Sequence, residues 1–248
     1  MAKEKLRLDV LLKERGLVSS RARGQALIMA GSVLVDGSVV TKSGFFVSPG
    51  QRIEIKADLC PYVSRGGLKL QKALEYFDVS VKSRICMDVG ASTGGFTDCL
   101  LKYGARLVYS IDVGYGQLDW RLRNRDDIIN LEKTNIRNVT RDIFKEIPCF
   151  ASIDVSFISL KIVVPKVKEL IKDGGDIIAL IKPQFEAGRK QVGKGGIIRD
   201  PRIHDEVLAD LERFFSRDIG VRSVGIIPSP VKGAKGNKEF LIHLKKAF

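Results

Sequence analysis

The stretch Cys86-Met-Asp-Val-Gly-Ala-Ser-Thr-Gly-Gly-Phe-Thr97 constrains what this chain can fold into more than any other part of it. An apolar run carrying an acid flows into a glycine-rich turn and then into an amphipathic segment, the pattern of a strand, a tight turn and a helix. Gly90, Gly94 and Gly95 allow a sharp bend and a close approach of backbone to a ligand. The helix that follows, with Phe96, Leu100 and Leu101 at helical spacing, aims its first N–H groups at that ligand. A second buried strand, Val108-Tyr-Ser-Ile-Asp112, ends in a carboxylate at the position that reads ribose hydroxyls in such folds. Turn and acid together predict an adenosine-type ligand.

Gly90-Ala-Ser-Thr-Gly94 has the glycine spacing of methyltransferases and lacks the G-x-G-x-x-G of nicotinamide proteins, and no Gly-Lys-Ser/Thr follows it. S-adenosyl-L-methionine is therefore the leading cofactor candidate. A βα turn with no ligand is the alternative, and Asp112 argues against it. From Arg84 onward, apolar runs near 85–89, 107–111, 128–131, 150–155, 176–182, 221–227 and 239–244 alternate with helical segments. This alternation predicts a doubly wound, mainly parallel α/β sheet of seven strands.

The 248 residues include no apolar run near the 18 or so needed to cross a bilayer, so one α/β domain plus a small module is expected. The charged start, Met1-Ala-Lys-Glu-Lys, carries no secretory pattern, and a cytoplasmic location is the expectation. Cys60, Cys86, Cys99 and Cys149 lack any CxxC pairing and are read as reduced and structural. His204 and His243 have no metal-type partners, so no metal is expected. A net charge of +13 favours a polyanionic partner, nucleic acid before an anionic membrane, because no basic amphipathic helix with a wide apolar face is evident.

The first 58 residues read as a separate unit and 59–66 as a linker to a domain over 67–248. Leu6 to Leu17 is a predicted helix with Leu8, Leu11 and Leu12 inward and Gly16 as its stop. Ser19 or Ser20 caps a second helix, Arg21 to Ala30, and short strands follow around Asp36-Gly37 and Pro49-Gly50 turns. The pattern Arg7-Leu-Asp-Val-Leu-Leu, Ser20-Arg-Ala-Arg and Ala30-Gly-Ser-Val-Leu-Val-Asp-Gly37 resembles the ribosomal-protein-S4-type RNA-binding domain, an α+β module. That resemblance implies phosphate contacts by Arg7, Arg21, Arg23 and Gln25; the plainer reading is a solvated helix face.

Two basic loops invite the same interpretation. One runs from Lys182 to Pro201 with Arg189, Lys190, Lys194 and Arg199, and the other from Val231 to Lys238 with Lys235. Each suits a clamp on phosphate or a plain mobile surface loop. Trp120 and Tyr115 offer rings for base stacking, but helix packing is the default expected for Trp120.

Methyl transfer to a hydroxyl is an in-line displacement in which the hydroxyl proton must leave. Asp154 and Lys182 end apolar strands, Glu239 opens the last strand, and Lys69 lies in the helix after Arg65-Gly-Gly67, so all four are expected at the carboxyl edge of the sheet. Alone, Lys69 reads as a solvated lysine and Glu239 as a strand-edge charge. A charge that terminates an apolar strand, as Asp154 and Lys182 do, is harder to explain by packing.

Val63-Ser-Arg-Gly-Gly-Leu-Lys69, Gly90-Ala-Ser-Thr-Gly-Gly-Phe96, Asp154-Val-Ser-Phe-Ile-Ser159 and Ile181-Lys-Pro-Gln-Phe-Glu186, combined with the N-terminal unit, resemble the haemolysin-A-like (TlyA) family of ribosomal RNA 2′-O-methyltransferases over nearly the whole chain. The catalytic half is similar to FtsJ-type ribose methyltransferases. The resemblance implies a catalytic set of Lys69, Asp154, Lys182 and Glu239, with Lys182 abstracting or orienting the 2′-hydroxyl proton and the carboxylates positioning both ammonium groups. An ordinary lysine, with a pKa of about 10.4, is protonated at neutral pH, so desolvation and the second lysine would have to work against the carboxylates.

It also implies a cofactor site of Gly90, Ser92, Gly94, Gly95, Phe96, Asp112, Asn135 and Asp154, with Thr134 to Ile136 on the adenine side, and RNA contacts that include Arg65. FtsJ-type enzymes often carry Trp at the Phe96 position and Asp at the Asn135 position, so the chain departs from their pattern there. Cytidine in ribosomal RNA or ribosomal subunits is the implied substrate. The rivals are a non-catalytic RNA-binding or assembly factor with a vestigial methyltransferase fold, and a membrane-lytic haemolysin, which only the family's name suggests.

Overall fold

The computed structural model describes residues 5–18, 20–29, 31–55, 60–188, 191–193, 195–233 and 236–247, with Ala26 by its backbone alone. The chain divides into two compact units, Met1–Pro61 and Tyr62–Phe248. Segment 59–66, expected as a linker, straddles that division.

In the first unit the strands are Leu6–Arg7 (β1), Val33–Val35 (β2), Ser38–Val40 (β3), Phe46–Val47 (β4) and Ile53–Ile55 (β5), and the helices are Leu8–Glu14 (α1) and Arg21–Met29 (α2). The first helix starts two residues later than its periodicity predicts. Leu6 and Arg7 instead pair with Val47 and Phe46, and the Leu8 N–H donates to the Phe45 carbonyl at 2.8 Å. Gly16 ends the turn after α1 at φ +68°, and the Ser20 hydroxyl accepts the Arg23 N–H at 3.1 Å as the cap of α2. Asp36 and Gly37, at φ +50° and +78°, turn β2 into β3 with the twist a two-residue hairpin needs. Leu8, Leu12, Ile28, Val33 and Val47 are fully buried in one small core.

The second unit is a sheet of Ile85–Val89 (β6), Leu107–Ile111 (β7), Ile128–Leu131 (β8), Phe150–Ile153 (β9), Asp176–Ile181 (β10), Val221–Pro228 (β11) and Phe240–Lys246 (β12). Its order is β11-β12-β10-β9-β6-β7-β8, with β6 to β10 parallel and β12 antiparallel to both neighbours. Helices Gly66–Tyr76 (α3), Gly95–Lys102 (α4), Trp120–Arg123 (α5), Leu160–Leu170 (α6), Pro183–Glu186 (α7) and Pro201–Arg213 (α8) complete it. Strands buried on both faces explain the unbroken apolar runs. The chain leaves β6 toward one side of the sheet and β9 toward the other, so the crevice for ligands opens at the carboxyl ends of these two strands.

At the opposite edge Asp176 gathers three side chains: Arg84 Nη1 at 2.7 Å, Lys245 Nζ at 2.9 Å and His243 Nε2 at 3.0 Å. Burial alone would raise the Asp176 carboxyl, but these hydrogen bonds outweigh it and hold the group well below the usual carboxylate range. Cys86 and Cys99 are buried, on β6 and α4, and carry free thiols. Trp120 departs from its expected packing. Leu118 and Leu122 are the side chains of this segment that join a small core with Ile128, and Trp120 points to solvent.

Candidate active site

The glycine turn is built by close approach as much as by backbone freedom. Gly90 sits at φ +82°, and a Cβ there would lie 2.4 Å from the Asp154 carbonyl, which the β6–β9 pairing brings alongside. Gly94 caps α4 at φ +92° and leaves room for Leu122 and Leu118, whose methyl carbons would fall 2.4 and 2.7 Å from an added Cβ. A Cβ on Gly95 would meet Ser64 Oγ at 2.2 Å, and one on Gly67 would strike the Tyr62 ring, so small residues let α3 lie against α4.

Beneath the turn, Asp88 is wholly buried and accepts from Thr97 Oγ1 at 2.7 Å and Ser152 Oγ at 2.9 Å, while Thr97 also meets Ser110 Oγ at 2.7 Å. Burial pushes the Asp88 carboxyl up to about 6 against those hydrogen bonds. At the end of β7 the Asp112 carboxylate accepts the N–H groups of Ser92 at 2.8 Å and Gly114 at 2.7 Å. These bonds fix the carboxylate at the cavity wall, and each oxygen retains acceptor capacity.

Two cavities open on this edge. The first, of about 990 Å³, is lined by Val89, Gly90, Ser92, Asp112, Asn135 and Asp154 among others. The second, of about 720 Å³, is lined by Arg65, Lys69, Asp154, Lys182, Lys232 and Glu239 together with Ser92, Gly95 and Phe96. They share Gly90, Ser92, Asp154, Ser156, Phe157 and Phe185 as a common wall. Gly94 lines neither.

The four residues expected to act together therefore face one cavity, as two ion pairs. Lys182 Nζ lies 2.6 Å from Asp154 Oδ1, and Lys69 Nζ lies 2.7 Å from Glu239 Oε2. All four side chains are largely shielded from solvent, where such pairs interact more strongly than at an exposed surface. Each ammonium is thus held by a carboxylate.

Several further contacts at this edge were not evident in the sequence. Ser156 Oγ accepts from Lys182 Nζ at 2.8 Å, as a second partner for that ammonium. Phe157, 90% exposed and at φ +64°, faces Phe185 with ring centroids 4.9 Å apart. Glu186 joins the loop after β9 to the end of β10: it accepts the Leu160 N–H at 2.9 Å and the Ser159 hydroxyl at 2.6 Å. Asn237 links the two long loops, accepting the Ile198 N–H at 3.2 Å and donating to the Gly196 carbonyl at 2.9 Å. All but Asn237 fall within quoted motifs, yet spacing alone does not show which partners they meet.

Among the expected RNA contacts, Arg7, Arg21 and Gln25 converge on Asp9, a buried carboxylate of the first unit. Arg7 donates through Nε at 3.0 Å and Nη2 at 3.1 Å, Arg21 through Nε at 2.9 Å and Gln25 through Nε2 at 2.7 Å. Hydrogen bonds, chiefly from Arg7, hold the Asp9 carboxyl well below its usual range. Arg23, Arg65 and Arg199 are exposed. Arg189, Lys190, Lys194 and Lys235 lie outside the described residues.

Strand order and glycine turn together define a Rossmann-like methyltransferase. Within that class the chain belongs to the FtsJ-like methyltransferase family, whose model matches residues 62–246, and a model of the S4 domain matches residues 6–53. It is 42% identical over 241 residues to the 16S/23S rRNA (cytidine-2′-O)-methyltransferase TlyA of Mycobacterium tuberculosis, covering 96% of this chain and 89% of that one. It is also 42% identical to Hemolysin A of Brachyspira hyodysenteriae, covering 96% and 99%. A solved structure from Streptococcus thermophilus with a provisional hemolysin name is 45% identical, with a TM-score of 0.78 over 99% of this chain and 90% of that one.

Proposed function

We propose that this protein is an S-adenosyl-L-methionine-dependent 2′-O-methyltransferase acting on cytidine in ribosomal RNA, with the S4-type unit, taken as residues 1–58, docking RNA and residues 67–248 transferring the methyl group. One observation carries this reading: the wall common to two adjoining cavities holds Asp154, which is ion-paired with Lys182. Donor and acceptor sites that share a wall suit an in-line transfer. The name of the Mycobacterium tuberculosis relative agrees with it. We place its action in the cytoplasm as part of this proposal, because ribosomal RNA is the proposed substrate.

The first cavity fits the cofactor. Gly90 offers bare backbone, Asp112 a fixed carboxylate for ribose hydroxyls, and Asn135 and Ile136 a wall for adenine. When bound, S-adenosyl-L-methionine supplies an electrophilic methyl group. In the second cavity Lys182 is positioned to take or orient the 2′-hydroxyl proton, with Asp154 and Ser156 fixing its amine and Glu239 fixing Lys69. Arg65 and Lys232 add positive charge for flanking phosphates, and Phe157 and Phe185 give an apolar wall against a base.

Transfer of tritiated methyl groups to purified ribosomal subunits, followed by mapping of 2′-O-methyl positions, tests the proposal. Incorporation at cytidine is expected, and no incorporation into any ribosomal RNA or subunit would overturn it. RNA binding without incorporation would favour the non-catalytic assembly factor. Lys182→Ala is expected to lower turnover by about 10²- to 10⁴-fold and to leave cofactor affinity, read by calorimetry, nearly unchanged.

A further inference from the structure

The segment after β7 buries the wrong residues for a structural tryptophan. Leu118 and Leu122 fill the small core with Ile128, whereas Trp120 is 75% exposed, Tyr115 72% and Val113 70%. Tryptophan is among the residues most buried on average, so a ring turned mostly to solvent marks a candidate contact surface. Neither Trp120 nor Tyr115 lines the cofactor or acceptor cavity. Both nonetheless lie on the segment that leaves Asp112, at the carboxyl edge where those cavities open.

The occupant that fits is unpaired RNA. The Lys133 ammonium stands 4.6 Å from the Tyr115 ring centroid, so a cation accompanies the aromatic surface. The neighbouring guanidiniums of Arg121, Arg123 and Arg125 are each paired with a carboxylate, Asp119, Glu132 and Asp127. The patch is therefore close to locally neutral in a chain of net charge +13, and its attraction rests on ring faces more than on phosphate pairing. Aromatic faces of this kind take up unstacked bases whatever their sequence.

We propose that Trp120, on the same exposed segment as Tyr115, forms a stacking platform for an unpaired base of the RNA substrate outside the methylated nucleotide's cavity. This rests on the RNA-methyltransferase reading given above.

Trp120 is the single tryptophan in the chain, so its emission reports this surface alone. Titration of the full-length protein with protein-free ribosomal RNA, and with a short single-stranded oligoribonucleotide, is expected to give saturable quenching and protection from acrylamide. Trp120→Ala is expected to weaken RNA binding about 10-fold, within the range for a lost base stack. Trp120→Phe should recover most of that affinity, and cofactor affinity should be unchanged in both. Because no phosphate contact is removed, the slope of affinity against salt should stay at its wild-type value in Trp120→Ala.

RNA that binds without altering Trp120 emission, or a Trp120→Ala variant that binds and methylates normally, would overturn the platform and leave the enzymatic reading intact. Emission that changes with protein concentration alone would overturn it in favour of self-association. Failure of both RNAs to bind, together with no methyl incorporation, would overturn the two readings together.

Discussion

Asp9 shows how one residue can organise a surface. Its carboxylate is buried and takes four hydrogen bonds from Arg7, Arg21 and Gln25, which aligns side chains that would otherwise sample many rotamers. Asp9→Asn removes the charge and turns an N–H2 group toward a ring of donors. We expect it to cost about 2–3 kcal/mol of stability in the first unit and to weaken RNA binding, measured by denaturant unfolding and filter binding. Asp9 lies in the quoted Arg7-Leu-Asp9 motif, yet a one-dimensional pattern does not show that residues 12 and 16 positions away turn back to it. Asp154 and Lys182 were easier to find, because a charge ending an apolar strand has few structural explanations. Ser156 was not, since nothing in its spacing reveals that its hydroxyl meets Lys182.

At the scale of elements, the seven strands of the large sheet were legible as apolar runs bounded by turn residues, within a residue or two at their ends. Strands β1 and β4 were not, because two-residue strands carry no periodicity and form only through each other. The Ile181-Lys-Pro-Gln-Phe-Glu186 segment was legible as a motif, but not for its mechanical role. Glu186 holds the start of α6, and with it the loop that carries Ser156 and Phe157, against the segment that carries Lys182. Glu186→Ala should therefore raise KM for RNA and lower stability by about 1 kcal/mol, the usual scale of a lost helix cap. Glu186→Gln, which keeps an acceptor for the Leu160 N–H, should recover most of both in steady-state kinetics and thermal melts.

For the whole molecule, two separate cores predict two unfolding transitions in calorimetry, and their pH dependences should differ. Asp9 has a depressed carboxyl, so the stability it contributes is present at neutral pH and is lost as pH falls below the usual carboxylate range. The first unit's transition should fall steadily in acid, and Asp9→Asn should flatten that fall. In the second unit Asp88 acts oppositely: its carboxyl, raised to about 6, takes up a proton in the folded state first. Its transition should gain up to about 3 kcal/mol as pH drops from 7 toward 4. Below that it should lose stability as Asp176 is neutralised and releases Arg84, Lys245 and His243.

The two ion pairs in the proposed acceptor cavity have a consequence for how the protein would meet RNA. Lys69 with Glu239 and Lys182 with Asp154 cancel charge for charge, so the cavity's surplus comes from Arg65 and Lys232. Added salt screens long-range attraction more than shielded contacts. Raising ionic strength should therefore slow capture of RNA while sparing single-turnover chemistry once RNA is seated, so that the reactive centre is insulated from the medium that governs its supply.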